Sequence, residues 1–136
     1  MRSIILSLIL LLGLAIPVHA DERANEGARA VISAQIEAFL AQDVTRAYSY
    51  ASPFIQQKFG TPEQFGAMVR DGYPMVWRPS DVTFLAMRDI AGRLWQGVRV
   101  MDAAGAGWIV DYEMIETPEG WRINGVTVRP APDASV

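Results

Sequence analysis

Two hydrophobic periods divide this chain near residue 80. From about Asn25 to Gln42 apolar residues recur at helical spacing: Ala28, Val31, Ile32, Ile36, Phe39 and Leu40 share one face, with Arg29, Gln35 and Glu37 elsewhere. Such a stripe predicts a first helix laid on a core. Two shorter helices carry their own start and stop signals. In "SPFIQQKFG" Ser52 is a natural N-cap, Pro53 suits the first helical position, and Gly60 can take the left-handed terminal turn. "TPEQFGAMVRDG" repeats the device, with Thr61 as cap, Gln64 closing a capping box and Gly72 as the stop. Between these and the first helix, "DVTRAYSYA" predicts one more short helical segment with Tyr48 and Ala51 turned inward.

After Ser80 the period becomes two. Val82, Phe84 and Ala86 share one face of the first strand. Leu94, Val98 and Val100 alternate with Trp95, Arg99 and Met101 in the second. In the third, Trp108, Val110, Tyr112 and Met114 alternate with Ile109, Asp111, Glu113 and Ile115. The fourth carries Trp121 and Ile123, then Val126 and Val128, so its phase slips by one at Asn124-Gly125, as at a bulge that curves a sheet. "DIAGR", "AAGAG" and "TPEG" are hairpin connections. The expected fold is α+β: N-terminal helices packed on a curved four-stranded antiparallel sheet. With Val98 and Val100 sharing the core face with Tyr112 and Val110, the expected register puts Arg99 opposite Asp111, Trp95 opposite Ile115, Met101 opposite Ile109, Tyr112 opposite Ile123 and Glu113 opposite Arg122, and the opposite-charge pairs support it.

"DGYPMVWRPS" joins the two halves. Tyr73 and Arg78 each precede a proline, which pushes both toward extended backbone. Neither proline can donate to a ladder, so the segment is expected as an edge strand or crossing arm, with Tyr73 and Trp77 at the rim of any cavity beneath it.

Composition adds the destination. "MRSIILSLILLLGLAIPVHA" has a basic start, an apolar run, a helix-breaking proline and small residues before Asp21, the pattern of a cleaved secretory signal. The expected organisation is a signal over 1–20, one α+β domain over 21–129 and a Pro/Ala-rich tail over 130–136, in a periplasmic or secreted protein. Losing residues 1–20 removes the single His and one of 12 basic residues against 15 acids, for a net charge of −4. With no Cys and no remaining His, thiolate or imidazole metal sites, Cys nucleophiles and Ser-His-Asp arrangements drop out, and no cofactor or metal is expected. The basic residues are scattered along the chain, which argues against nucleic acid and, after cleavage, against a membrane surface.

The string "AFLAQDVTRAYSYASPFIQQKFGTPEQFGAMVRDGYPMVWRPSDVTF", with the final-strand "GWRINGV", resembles a family of short exported bacterial proteins, domain of unknown function 4864. That family resembles the cystatin-like, nuclear-transport-factor-2-like superfamily. The resemblance implies helices closing one face of a curved antiparallel sheet around a conical cavity; it implies no activity, because fold alone does not decide one.

Three functional readings follow. The first is a non-catalytic binding module for a small apolar or amphipathic ligand. Phe39, Phe65, Met68, Phe84, Met114, Trp108 and Trp121 would line its cone, and Tyr48, Tyr73, Trp77, Trp108, Tyr112 and Trp121 are the candidate contacts. The second is a protein-interaction module, here a homodimer through the outer sheet face of Trp95, Arg99, Met101, Ile109, Asp111 and Ile115. The third is a small pocket enzyme of isomerase, dehydratase or hydrolase type, with Asp43 as base and Tyr48, Tyr50, Tyr73 and Tyr112 as donors. The almost wholly apolar core-facing strand positions weigh against it. A cavity of at least ~300 Å³ favours a ligand or an enzyme, and a filled cone favours the interaction module.

Overall fold

In the computed structural model, which describes Gly13 and residues 20–132, helices precede an antiparallel sheet. Nearly all of the expected signal segment, and tail residues 133–136, lie outside the described residues. No helix among the described residues is long and apolar enough to cross a membrane.

Helix α1 (Ala20–Leu40) buries Ala28, Ile32, Ile36, Ala38 and Phe39, as its stripe requires. Two assignments change. Leu40 is 43% exposed, whereas Gln35 is buried. At about 100° per residue, Gln35 lies within roughly 40° of both Ala28 and Phe39, and Leu40 about 100° from Phe39. Gln35 is tolerated there because its Nε2 donates to the Ala47 carbonyl at 3.1 Å.

The expected N-caps at Ser52 and Thr61 and the stop at Gly60 are present. α2 (Val44–Ser49) starts at Asp43, whose Oδ1 accepts from Arg46 N. α3 (Pro53–Phe59) starts at Ser52, whose Oγ accepts from Ile55 N, and ends at Gly60 with φ +81°. α4 (Pro62–Gly72) starts at Thr61, whose Oγ1 accepts from Gln64 N. The capping box is only half formed, since Thr61 N donates to the Phe59 carbonyl instead. Gly72 stays inside the helix, and Tyr73 is the cap.

The joint is a correction. Pro74–Trp77 forms a single helical turn, α5, not an edge strand. Tyr73 (φ −137°, ψ 61°) and Arg78 (φ −140°, ψ 68°) avoid the α region, as residues before proline do. Between them Pro74 sits at the first helical position, where its missing N–H costs nothing, and Arg78 N closes the turn on the Pro74 carbonyl.

Strands β1 (Ser80–Ile90), β2 (Arg93–Met101), β3 (Gly107–Thr117) and β4 (Gly120–Pro130) form one antiparallel sheet in chain order. β4 outruns the expected boundary at 129, and Ala131 N still donates to the Gly107 carbonyl. The faces match the alternation in β2 and β3, but the register lies two residues from the expected one. Arg99 faces Ile109, Asp111 faces Gly97, Trp95 faces Glu113 and Met101 faces Gly107. Across β3 and β4, Tyr112 faces Val126, Glu113 faces Gly125 and Ile115 faces Arg122. A slip of two, between β2 and β3 and up to the bulge of β4, preserves every face, so alternation alone cannot detect it; past the bulge the offset is three, the extra residue restoring the face.

The bulge at Asn124 is present: Glu113 pairs with Gly125 and Met114 with Ile123, leaving Asn124 extra. β1 has register shifts of its own, one between Phe84 and Met87, so Met87 rather than Ala86 joins the core. Gln96, on the core face of β2, serves that irregularity. Its Nε2 donates to the Leu85 carbonyl at 2.7 Å, and Arg29 Nη2 reaches the same oxygen at 3.1 Å.

The helices cover the inner face. α1 meets β4 where Gly27 lies under Trp121; a Cβ on Gly27 would fall 2.6 Å from the indole Cδ1. The chain between α2 and α3 pairs with β4 just before the bulge, Ser52 N donating to the Ile123 carbonyl and Ile123 N to the Tyr50 carbonyl.

Candidate ligand cavity

Beside that pairing, a cavity of about 300 Å³ lies between the helices and the bulged stretch of β4. Its walls come from Gln35 and Phe39 of α1, Phe54, Ile55, Lys58 and Phe59 of α3, and Phe65, Met68 and Val69 of α4. Ala51, Tyr73, Val76 and the Ile123–Val126 stretch of β4 complete it. An aromatic cluster supports one side, with Phe65 ring centroids 5.9 Å from Phe39, 6.1 Å from Phe59 and 5.7 Å from Tyr48. Phe54 stands 62% exposed on the cavity wall.

Few polar groups reach this space, and their bonding defines what they can offer. Asn124 Oδ1 accepts from Ser52 Oγ at 2.8 Å, and among the described residues its amide nitrogen has no protein acceptor. Gln35 spends Nε2 on Ala47, and its Oε1 has no protein donor among the described residues. No sealed side-chain polar atom among the described residues goes unpartnered, so both amide ends keep some accessible surface at the cavity wall. Lys58 is the one charged residue of the wall, its ammonium 5.5 Å from the Phe59 ring centre. The site therefore offers an acceptor, a donor and a cation on apolar walls.

Most of the residues expected to contact a ligand do other work. Tyr73 lines the cavity. Tyr48 donates its hydroxyl to the Gln56 and Gly60 carbonyls, tying down the end of α3. Trp77 packs at a tilt against Phe39, ring centres 5.5 Å apart, and is not part of the wall. Trp108 donates its indole N–H to Asp102 Oδ2 at 2.8 Å, bracing the β2–β3 loop. Tyr112 is fully buried, and burial drives its phenol pKa far above the ordinary tyrosine value, so it stays protonated. Trp121 covers Gly27. Of the expected cone lining, Phe39, Phe65 and Met68 take part, while Phe84, Met114, Trp108 and Trp121 do not.

The groups of the carboxylate–tyrosine reading are not brought together. Asp43 caps α2, Tyr112 lies in the core, and Tyr73 alone of the five reaches the cavity. No cluster of three or more His, Cys, Asp or Glu suited to a metal occurs among the described residues.

What sequence reasoning missed is the part α3 plays in the cavity wall. Phe54 with Lys58, and Ile55 with Phe59, are pairs four apart on a seven-residue helix. So short a helix cannot bury two apolar flanks, and the second flank was the available sign of a site.

The six residues expected at an interface do share the outer sheet face. Ile109 and Asp111 are buried there, Asp111 between Arg88 Nη2 at 3.0 Å and Arg129 Nε at 3.4 Å, while Trp95, Arg99, Met101 and Ile115 are half-buried.

No curated protein and no solved structure matches the chain. A family model does match, over residues 21–136, which takes in every helix and strand described above but for the first residue of α1; the chain belongs to the family described as domain of unknown function (DUF4864).

Proposed function

We propose that this protein is exported and acts as a non-catalytic binding module for a small amphipathic molecule held between α1, α3, α4 and the β4 bulge. The observation that carries this reading is the cavity itself: about 300 Å³, walled by aromatic and aliphatic side chains, with polar groups at only a few points. At about 30 Å³ for each water-sized group, it accepts on the order of ten heavy atoms, the size of a medium-chain lipid fragment or a small ring system. Lys58 and the free Asn124 amide suit an acceptor or anionic head group, and no Asp or Glu lines the wall to oppose one.

Native mass spectrometry of protein purified from its own periplasm tests the export and the binding together. The expected result is a mature chain beginning near Asp21 with a small molecule retained. Calorimetry with decanoate, decanol and decylamine then ranks head groups, decanoate being expected tightest. A bare mature mass, together with no heat from any of the three, refutes the reading.

A further inference from the structure

The arginines scattered along the sequence are not scattered in space. Arg88, Arg93, Arg99, Arg122 and Arg129 all project from the outer face of the sheet, against Asp111 and Glu113 as its carboxylates. Both acids are recessed and engaged. The Asp111 side chain is 10% exposed beneath Arg88 and Arg129, and that of Glu113 is 13% exposed with Arg93 Nη1 at 3.9 Å. The strand positions of this face therefore carry a net charge of five minus two, +3, on a mature chain whose total is −4. The rest of the mature chain must carry −7, so the charge is strongly polarised between the sheet face and the remainder.

The geometry points to this outer face as a docking surface for an acidic protein partner. Its composition is that of a protein interface, arginines with Trp95 and Met101 between them. The Arg99 guanidinium lies against Gly107, where a Cβ would come 3.4 Å from its Nη2. Strands of up to 11 residues, at about 3.3 Å per residue and 4.8 Å between strands, give roughly 600–700 Å². That is slightly under the ~800 Å² per partner of a standard complex, so the contact is salt-sensitive and reversible.

A second copy docked face to face would set like charge against like charge. A lipid surface is favoured less than a protein because Ile109 is recessed at 5% exposure and so cannot enter a bilayer.

The test uses the full mature chain and a synthetic peptide of alternating Glu and Val, followed by amide chemical-shift mapping. The expected shifts cluster on the outer positions of β2, β3 and β4. The double variant Arg99→Glu, Arg122→Glu should weaken binding at least tenfold. Arg23→Glu with Arg70→Glu changes the net charge equally from the helices and should leave it within twofold. If the sheet variant misfolds, Arg99→Gln with Arg122→Gln makes the same comparison with a smaller loss expected. Shifts elsewhere, equal losses from both double variants, tighter binding to phosphatidylglycerol vesicles than to the peptide, or a dimer in sedimentation that the double reversal abolishes would each overturn the assignment.

Discussion

Phe54 offers a way to separate binding from folding. It is 62% exposed yet lies on the cavity wall, so its ring is spent neither on the core nor on a partner within the described chain. An aromatic side chain of roughly 200 Å² leaves about 120 Å² of this one in water. A ligand covering half of that removes ~60 Å², worth about 1.5 kcal/mol at ~25 cal/mol per Å², or tenfold in Kd. Phe54→Ala should therefore weaken decanoate about tenfold by calorimetry, while urea unfolding stays within ~0.5 kcal/mol of the parent. Phe65→Ala supplies the contrast. Phe65 is 5% exposed and touches three aromatic rings, so its loss should cost about 3–5 kcal/mol and remove binding with the fold. A Phe54→Ala protein that folds normally and binds decanoate as the parent does would refute the placement of the ligand.

Three further outcomes are expected. Ala91 and Gly92 both have positive φ, 53° and 79°, in the β1–β2 hairpin, a turn that favours Asn-Gly; Ala91→Asn should stabilise by about 1 kcal/mol and raise Tm by roughly 4 °C in calorimetry. Gly27→Ala should destabilise by about 1–3 kcal/mol, because the new methyl meets the Trp121 ring, and Gly27→Ala with Trp121→Leu should recover part of the loss. The Trp108 indole bond first, with the Ala106 amide next, holds the Asp102 carboxyl below the ordinary aspartate value of 3.8. Its contribution is thus present above the unfolded pKa and lost as pH falls through the lower folded one. The Trp108 indole N–H resonance should move with a midpoint below 3.8 and cease to titrate in Asp102→Asn; a midpoint at or above 3.8 contradicts the bond.

Local chemistry was legible in the sequence and absolute position was not. Ser52, Thr61 and Gly60 act within a few residues of themselves, so their roles could be read without the rest of the chain. The phase slip at Asn124 was likewise a local mark of the bulge. The register of β2 on β3 depends instead on where the Asp102–Ala106 loop closes, and the matching of core faces that put Arg99 opposite Asp111 is met equally well two residues away. Asp111 takes its arginines from β1 and β4, reaching over intervening residues, which left Arg99 opposite Ile109. The prolines of "DGYPMVWRPS" show the same limit. Their effect on the preceding residues was read correctly, but Pro74 also starts a helical turn, and that depends on Arg78 returning to its carbonyl.

The cavity was harder to foresee because large aromatics have two uses and the sequence does not separate them. Trp108, Trp121 and Tyr112 went to loop bracing, a helix contact and the core, each with a partner distant in sequence or local to a turn: Asp102, Gly27 and the inner strand face. Phe54 and Phe59 belong to a helix too short to hide both flanks, so exposure was the consequence of length rather than of residue type. The arginines follow the same logic in reverse. Spaced along four strands they form no run, and antiparallel pairing alone collects them on one face. A site built by register is invisible to composition, so the outer face and the bulged end of β4 are where substitutions should separate function from stability in this family.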